Sequence, residues 1–413
     1  MFNVTDTYFA GSVSTVALAA LSLTFSIFFL IIAIAGGMSQ ALTALIGNAL
    51  GEGKKEHAKQ IILHSVLVAI FLSLALTMIG FLISPFLMKI LGAKGLYLKE
   101  ALSYIYTIFA GVIFFIGAFF TNAVLNSLGN TKAYRNFLIV GFLANTLLDF
   151  WFVKGGIGLP ALGIIGIASA TIIIECGGAL YLFFELKKTY LLTDMPKFKF
   201  DMQIIKSFFS QGVPPTINMS LMALGMFIIT YYISHFGQHV VAAYGIAVRI
   251  EQIVLLPAIG INVAVLSIVS QNCGAQLYDR VKQTVKYAQN VGFFLWIIGM
   301  LFIYLFGNFT IHLFTQDEKV AQAGLGYLYA AATSLYAYML VFINVSLLQG
   351  IKQPTFLIYL SLFRQIIFPV FVFTIFLYLN LPLTFYWWGI VFTIWFSAFL
   401  IVWYAKNKLA GIV

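Results

Sequence analysis

The sequence predicts an all-α polytopic membrane protein, and three observations predict it. Of 413 residues, 62% are hydrophobic and only 9% are charged, with mean hydropathy +1.00. A soluble domain carries about 25% charged residues. Apolar runs long enough to cross a hydrocarbon core of about 30 Å recur from end to end. LSLTFSIFFLIIAIAGGM (21–38), HSVLVAIFLSLALTMIGFLI (64–83) and WWGIVFTIWFSAFLIVWYA (387–405) are three of them. These runs do not alternate in polarity as barrel strands do, so backbone groups denied water must pair within helices.

Taken in order, the apolar runs between polar breaks give an incomplete first span ending near residue 10, then eleven fuller ones. Those lie at roughly 16–49, 58–91, 97–128, 133–154, 161–187, 203–236, 240–273, 279–314, 319–350, 355–379 and 383–405. Several exceed the ~20 residues a span needs, so they should tilt or project into water. The first run lacks a basic flank and reads as part of the bundle, not as a cleavable signal. Cys176 and Cys273 lie in or at the end of apolar segments and read as packing residues.

The net charge of +10 is a statement about orientation. One set of alternate loops, from Lys54, Lys55 and Lys59 through the 187–206 segment to Lys406 and Lys408, carries sixteen Lys and Arg residues. The other set carries five: Lys89, Lys94, Lys99, Lys154 and Lys319. The positive-inside rule places the first set, and the C-terminus, in the cytoplasm. The basic balance therefore serves orientation and contact with anionic membrane lipid, and no nucleic-acid partner is expected.

The basic segment KKTYLLTDMPKFKFD (187–201) divides the chain nearly in half, and the halves repeat at an offset of 223. Thr7-Tyr8 falls on Thr230-Tyr231, and Gly37 and Gly51 fall on Gly260 and Gly274. Lys59-Gln60 falls on Lys282-Gln283, and Tyr104 and Tyr106 fall on Tyr327 and Tyr329. The expected organisation is an N-terminal six-helix lobe (1–190), a cytoplasmic linker (191–202) and a C-terminal six-helix lobe (203–413). Six spans per half is an even number, so the pseudo-two-fold axis lies along the membrane normal, as in transporters built from parallel repeats.

An ionisable side chain at membrane depth is expensive, so each one is a functional candidate. Of thirteen acids, Asp6, Asp149, Glu175 and Glu251 lie well within apolar surroundings, with Arg249 and Arg364 as the buried-looking cations. GFLANTLLDFWFV places Asn145 and Asp149 four apart, on one helix face, and IIGIASATIIIE relates Thr171 to Glu175 in the same way. Three carboxylates, an amide and a hydroxyl in the first half are hard oxygen ligands for a proton or a small cation such as Na⁺. The alternative is that such groups only join helices by hydrogen bonds.

The repeat separates the halves. Asp6 maps onto Ile229, and the counterpart of the Asn145–Asp149 region, near Arg364–Phe368, holds no acid. Phe, Tyr, Trp and Met surface in the second half suits amphipathic organic compounds. Weaker signals add little: KGGIGLPALGIIG marks a loop and a close-packed helix start. GNALGEGKKEHAKQ lacks the GK[ST] of a nucleotide-binding loop. His64, His235, His239 and His312 lack metal-ligand spacing and read as core or interfacial residues.

DTYFAG, GGMSQALTALIGNALGEG, LNSLGNTK, NTLLD, LGIIGIASAT, AAYGIAVRIEQ, LPAIGINVAV and SQNCGAQ, in this order, resemble the multidrug and toxin extrusion (MATE) family. The resemblance spans essentially the whole chain and is nearest the prokaryotic DinF-like branch of the MOP flippase superfamily. It implies twelve helices in two lobes around a V-shaped cavity. It also implies export of cationic or amphipathic organic compounds in exchange for H⁺ or Na⁺, by a monomer in the inner membrane of a prokaryote. The family's N-lobe cation site falls on Asp6, Asn145, Asp149 and Thr171; Glu175 and Glu251, singled out above by their apolar surroundings, are secondary candidates. No catalytic residue and no cofactor beyond the coupling ion are implied.

Two departures matter. The acids that some relatives carry in the seventh and tenth helices are missing, which removes the expectation of a C-lobe cation site. The family's first helix extends well before its Asp, whereas this chain starts at Met1, so the first helix is expected to be incomplete. The alternatives are a lipid-linked oligosaccharide flippase of the same superfamily and a truncated, non-transporting membrane protein. The first needs a cationic cavity.

Overall fold

The computed structural model describes residues 2–156 and 158–411. Apart from one β-bridge between Gly156 and Leu159, every regular element among them is helical. The chain divides into two compact units, Met1–Ile46 with Lys54–Gly212, and Gly47–Gly53 with Val213–Val413. The later boundary between the units falls between Gly212 and Val213. The short piece 47–53 counts with the second unit for a steric reason. Gly47, Gly51 and Gly274 let backbones meet there: a Cβ on any of them would collide with Ser270, Gln271 or the Asn48 main chain. Asn48 Nδ2 then donates to Gly350 O at 2.9 Å.

The first unit contains α1 (Phe2–Val13), α2 (Thr15–Gly51, to Ile46), α3 (Lys55–Ile90), α4 (Gly95–Ala110), α5 (Val112–Ser127), α6 (Lys132–Lys154) and α7 (Ile164–Lys187). Only Ser14 separates α1 from α2, and its Oγ caps α2 by accepting from Ala17 N–H at 2.9 Å. The second unit contains most of α8 (Met202–Ile233), a 3₁₀ turn (Ser234–Phe236), α9 (Gln238–Gly274), α10 (Tyr278–His312), α11 (Glu318–Ala332) and α12 (Leu335–Gly350). It closes with α13 (Phe356–Leu362), a π turn (Phe363–Ile367), α14 (Phe368–Tyr378) and α15 (Leu383–Ala410).

Nine described helices are long and apolar enough to span a membrane, or eleven when each of two bent pairs counts once. These are the eleven fuller spans expected from sequence, and α1 stands apart with 12 residues. The offset of 223 reproduces the element boundaries. Adding it to α2 (15–51) gives 238–274, which is α9, and adding it to α5 (112–127) gives 335–350, which is α12.

Even the breaks repeat. α4 and α5 bend by 46° at Gly111, and α11 and α12 bend by 52° at Thr333–Ser334. Both breaks tighten to i→i−3 hydrogen bonds, Gly111 N to Ile108 O (3.0 Å) and Ser334 N to Ala331 O (2.8 Å). Such short 3₁₀ turns are an identifiable cause of a kink.

Candidate functional site

The site is built where α1, α6 and α7 meet within the first unit. Glycines bring α6 and α7 together. A Cβ at Gly166 would lie 2.9 Å from Phe152 O, and one at Gly178 would overlap the Phe137 ring. The connection turns at Gly155 (φ +75°), whose N–H closes α6 on Trp151 O at 2.8 Å. That left-handed conformation favours glycine.

Four side chains converge in this packing. Asp6 from α1, Asn145 and Asp149 from α6, and Thr171 from α7 are all buried, with Asn145 and Asp149 at 0% exposure. The helical spacing of four puts Asp149 over Asn145, and Asn145 Nδ2 donates to Asp149 Oδ2 at 2.6 Å. The same nitrogen reaches across to Asp6 Oδ1 at 3.3 Å. Asp149 and Thr171 lie near Asp6 in the same packing, and the Thr171 hydroxyl donates to Ile167 O at 3.1 Å. Two buried carboxyl groups held by one amide repel each other when both are ionised, and a proton on one of them relieves that repulsion. A bound cation is the other way to relieve their repulsion.

The cluster is also unfinished. Asn145 Oδ1 and Asp149 Oδ1 are fully buried and have no hydrogen-bond partner among the described residues. Leaving a buried acceptor unmet costs about 1–3 kcal/mol. Open oxygens beside a carboxyl pair are the chemistry that binds a proton or a small hard cation.

Tyr104, which in the sequence stands out only as a repeat partner of Tyr327, completes the surroundings. It is buried on α4, close enough to Asp6 and Asp149 to feel their charge. The signal that could have found it was its match with Tyr327 at the 223 offset.

The secondary candidates stand elsewhere. Glu175 is buried one turn along α7 from Thr171 but is not joined to the cluster, and the charge-sensitive group near it is Tyr134. Glu251 lies on α9 in the second unit, where Tyr327 Oη donates to its Oε2 at 2.7 Å. Its Oε1 is buried without a partner among the described residues. Tyr244 and Trp387 close around Tyr327, with ring centroids 5.1 and 5.2 Å from it. Arg364 is buried as expected, in the π turn, with Nη1 unpaired among the described residues. Arg249 is not: it is exposed. Two residues apart on a helix means about 200° of rotation, so burying Glu251 puts Arg249 on the opposite, exposed face of α9.

With this geometry in place, the MatE family profile matches residues 1–151 and 214–374, three quarters of the sequence in two blocks. The chain belongs to the MatE family. Two bacterial relatives carry multidrug-resistance names. The probable multidrug resistance protein YoeA of Bacillus subtilis is 28% identical over 312 residues, covering 73% of this chain and 66% of its own length, just under two thirds. The probable multidrug resistance protein NorM of Thermotoga maritima is 26% identical over 337 residues, covering 78% of this chain and 70% of its own.

Among solved structures, a MOP superfamily transporter from Pyrococcus furiosus matches with TM-score 0.92 at 24% identity, covering all of this chain and 92% of that one. That likeness carries the fold: a multi-pass, all-helical MATE architecture. The second MatE block takes in Glu251, and the first takes in Asp6, Asn145 and Asp149.

Proposed function

We propose that this MATE protein is a secondary antiporter that exports cationic and amphipathic organic compounds in exchange for H⁺ or Na⁺ by alternating access. Asp6, Asn145, Asp149 and Thr171 form the coupling site. The observation that carries this reading is Asn145 holding two buried carboxyls together while two oxygens of the cluster stay open. The multidrug-resistance names of the relatives support the substrate class.

In the mechanism, the amide of Asn145 fixes both carboxyls in register, and the Thr171 hydroxyl, which donates to Ile167 O at 3.1 Å, keeps its oxygen free to accept beside them. The pair takes up the ion and releases it when the site opens to the other side. Glu175, a buried carboxyl not hydrogen-bonded to the cluster, is the secondary candidate for carrying a proton along α7. The protein works in the inner membrane of a prokaryote, with the C-terminus and the Lys-rich 187–206 segment in the cytoplasm. The flippase alternative calls for a set of buried cations, and of Arg249 and Arg364 only Arg364 is buried.

The test is reconstitution in liposomes with an imposed pH or Na⁺ gradient and a fluorescent organic cation. Dye movement should follow one of the two gradients, and dye that ignores both sinks the antiport reading.

A further inference from the structure

The segment joining α7 to α8 is strapped to the start of α3, and three side chains of α3 hold its main chain. Lys59 Nζ donates to Asp194 O at 3.0 Å. Gln60 Nε2 donates to Lys197 O at 2.8 Å, and its Oε1 accepts from Lys199 N–H at 3.3 Å. His64 takes the last position: its Nε2 accepts from Asp201 N–H at 2.8 Å, and its Nδ1 meets Gln60 O at 2.7 Å. Phe198 and Phe200 close over the imidazole, with ring centroids at 5.0 and 6.1 Å, and His64 is fully buried beneath them.

These partners settle the proton on the ring. A backbone N–H can only donate, so Nε2 must hold a lone pair. A carbonyl oxygen can only accept, so Nδ1 must carry the hydrogen. The strap therefore needs neutral His64. We propose that His64 is a pH-sensitive latch, closing the 194–201 strap when neutral and releasing it when protonated.

Protonation would set Nε2–H against Asp201 N–H, two donors facing each other. Asp201 cannot readily compensate, because its Oδ1 already accepts from Gln203 N–H at 2.8 Å at the start of α8. Of the charges around the latch, the cations oppose a proton on the ring and the anions favour it. Lys59 is buried against Glu56 at 3.1 Å, and Lys197, Lys199 and Lys206 add positive charge, offset by Asp194 and Asp201. Of the helices packed on α3, α5 has no titratable residue. Those of α4 (Tyr97, Lys99, Glu100, Tyr104, Tyr106) sit toward the far end of an antiparallel pair, in which Thr77 meets Phe109 and Phe81 meets Tyr106. Imidazole is the side chain whose charge changes in the physiological range. The acceptor is present at higher pH and is lost as pH falls, so acidification opens the strap. That the acidified side is the cytoplasm rests on the orientation given above.

The test uses the full chain in lipid nanodiscs, where both faces see one pH, and hydrogen exchange of residues 190–201 corrected for intrinsic rates. Between about pH 8 and about 5.5, wild-type protection should fall about tenfold, the worth of one hydrogen bond. His64→Gln, which can accept and donate in the same places but does not titrate, should hold protection flat across that range. His64→Ala should be unprotected at both ends. A flat wild-type profile, or an equal fall in His64→Gln, overturns the latch. The readout is protection and not transport, so its failure leaves the antiport reading standing.

Discussion

The two units share a helical plan and differ in chemistry. Position for position, α2 answers to α9 and α5 to α12, and both units break their fourth span at the same place. Yet the first unit gathers two acids, an amide and a hydroxyl around open oxygens, while the second buries one acid under a tyrosine. The contrast teaches that the repeat conserves what hydropathy and helix packing dictate, whereas a few polar positions can diverge without disturbing it. Tyr104 and Tyr327 show both sides at once. They are repeat partners, each buried near carboxylates, but one faces a pair and the other hydrogen-bonds a single Glu.

Paired substitutions test this contrast, the most disruptive first. Asp149→Asn and Asp6→Asn should each lower gradient-driven dye efflux by about 100-fold or more, at unchanged membrane levels, because each removes a carboxyl from the proposed coupling site. Glu251→Gln should lower it less than about tenfold, since Tyr327 can still donate to the amide oxygen. Equal loss from Glu251→Gln would erase the distinction between the units.

Asn145→Ala should cost about tenfold in efflux, because the acids stay while their shared donor goes. Efflux indistinguishable from wild type would show that the bridge is incidental.

Tyr327→Phe should destabilise the protein by about 1–3 kcal/mol in a detergent unfolding assay, by stripping Glu251 of its donor. Tyr104→Phe should cost less, because Tyr104 senses its acids without a hydrogen bond to them. The reverse order would mean that Tyr104 is the structural member of the two. The smallest change is expected from Arg249→Gln, within about 0.5 kcal/mol and with normal efflux, as befits an exposed side chain. A large effect there would restore Arg249 as a functional cation.

The four residues of the proposed coupling site were legible because a polar side chain in an apolar run announces itself, and spacing of four places Asn145 and Asp149 on one face. Tyr104 was hidden because tyrosine is commonplace in a chain that is 17% aromatic. Arg249 was misread because a run of residues gives depth but not facing, and packing against Tyr327 chose Glu251 to turn inward. His64 read as a core or interfacial histidine, and nothing in HSVLVAIF shows that its partner is Asp201, 137 residues on.

The sequence by itself determined the helices, their lengths and their recurrence at 223. Hydrogen bonding within a helix is local, and hydropathy is a property of each residue alone. It also named the residue types able to bind an ion. Only the tertiary structure decided who meets whom. Asp6 and Asn145 lie 139 residues apart, and their contact exists because Gly166 and Gly178 let α6 and α7 close beside α1. A long-range contact depends on how every intervening helix packs, and no local pattern records that sum.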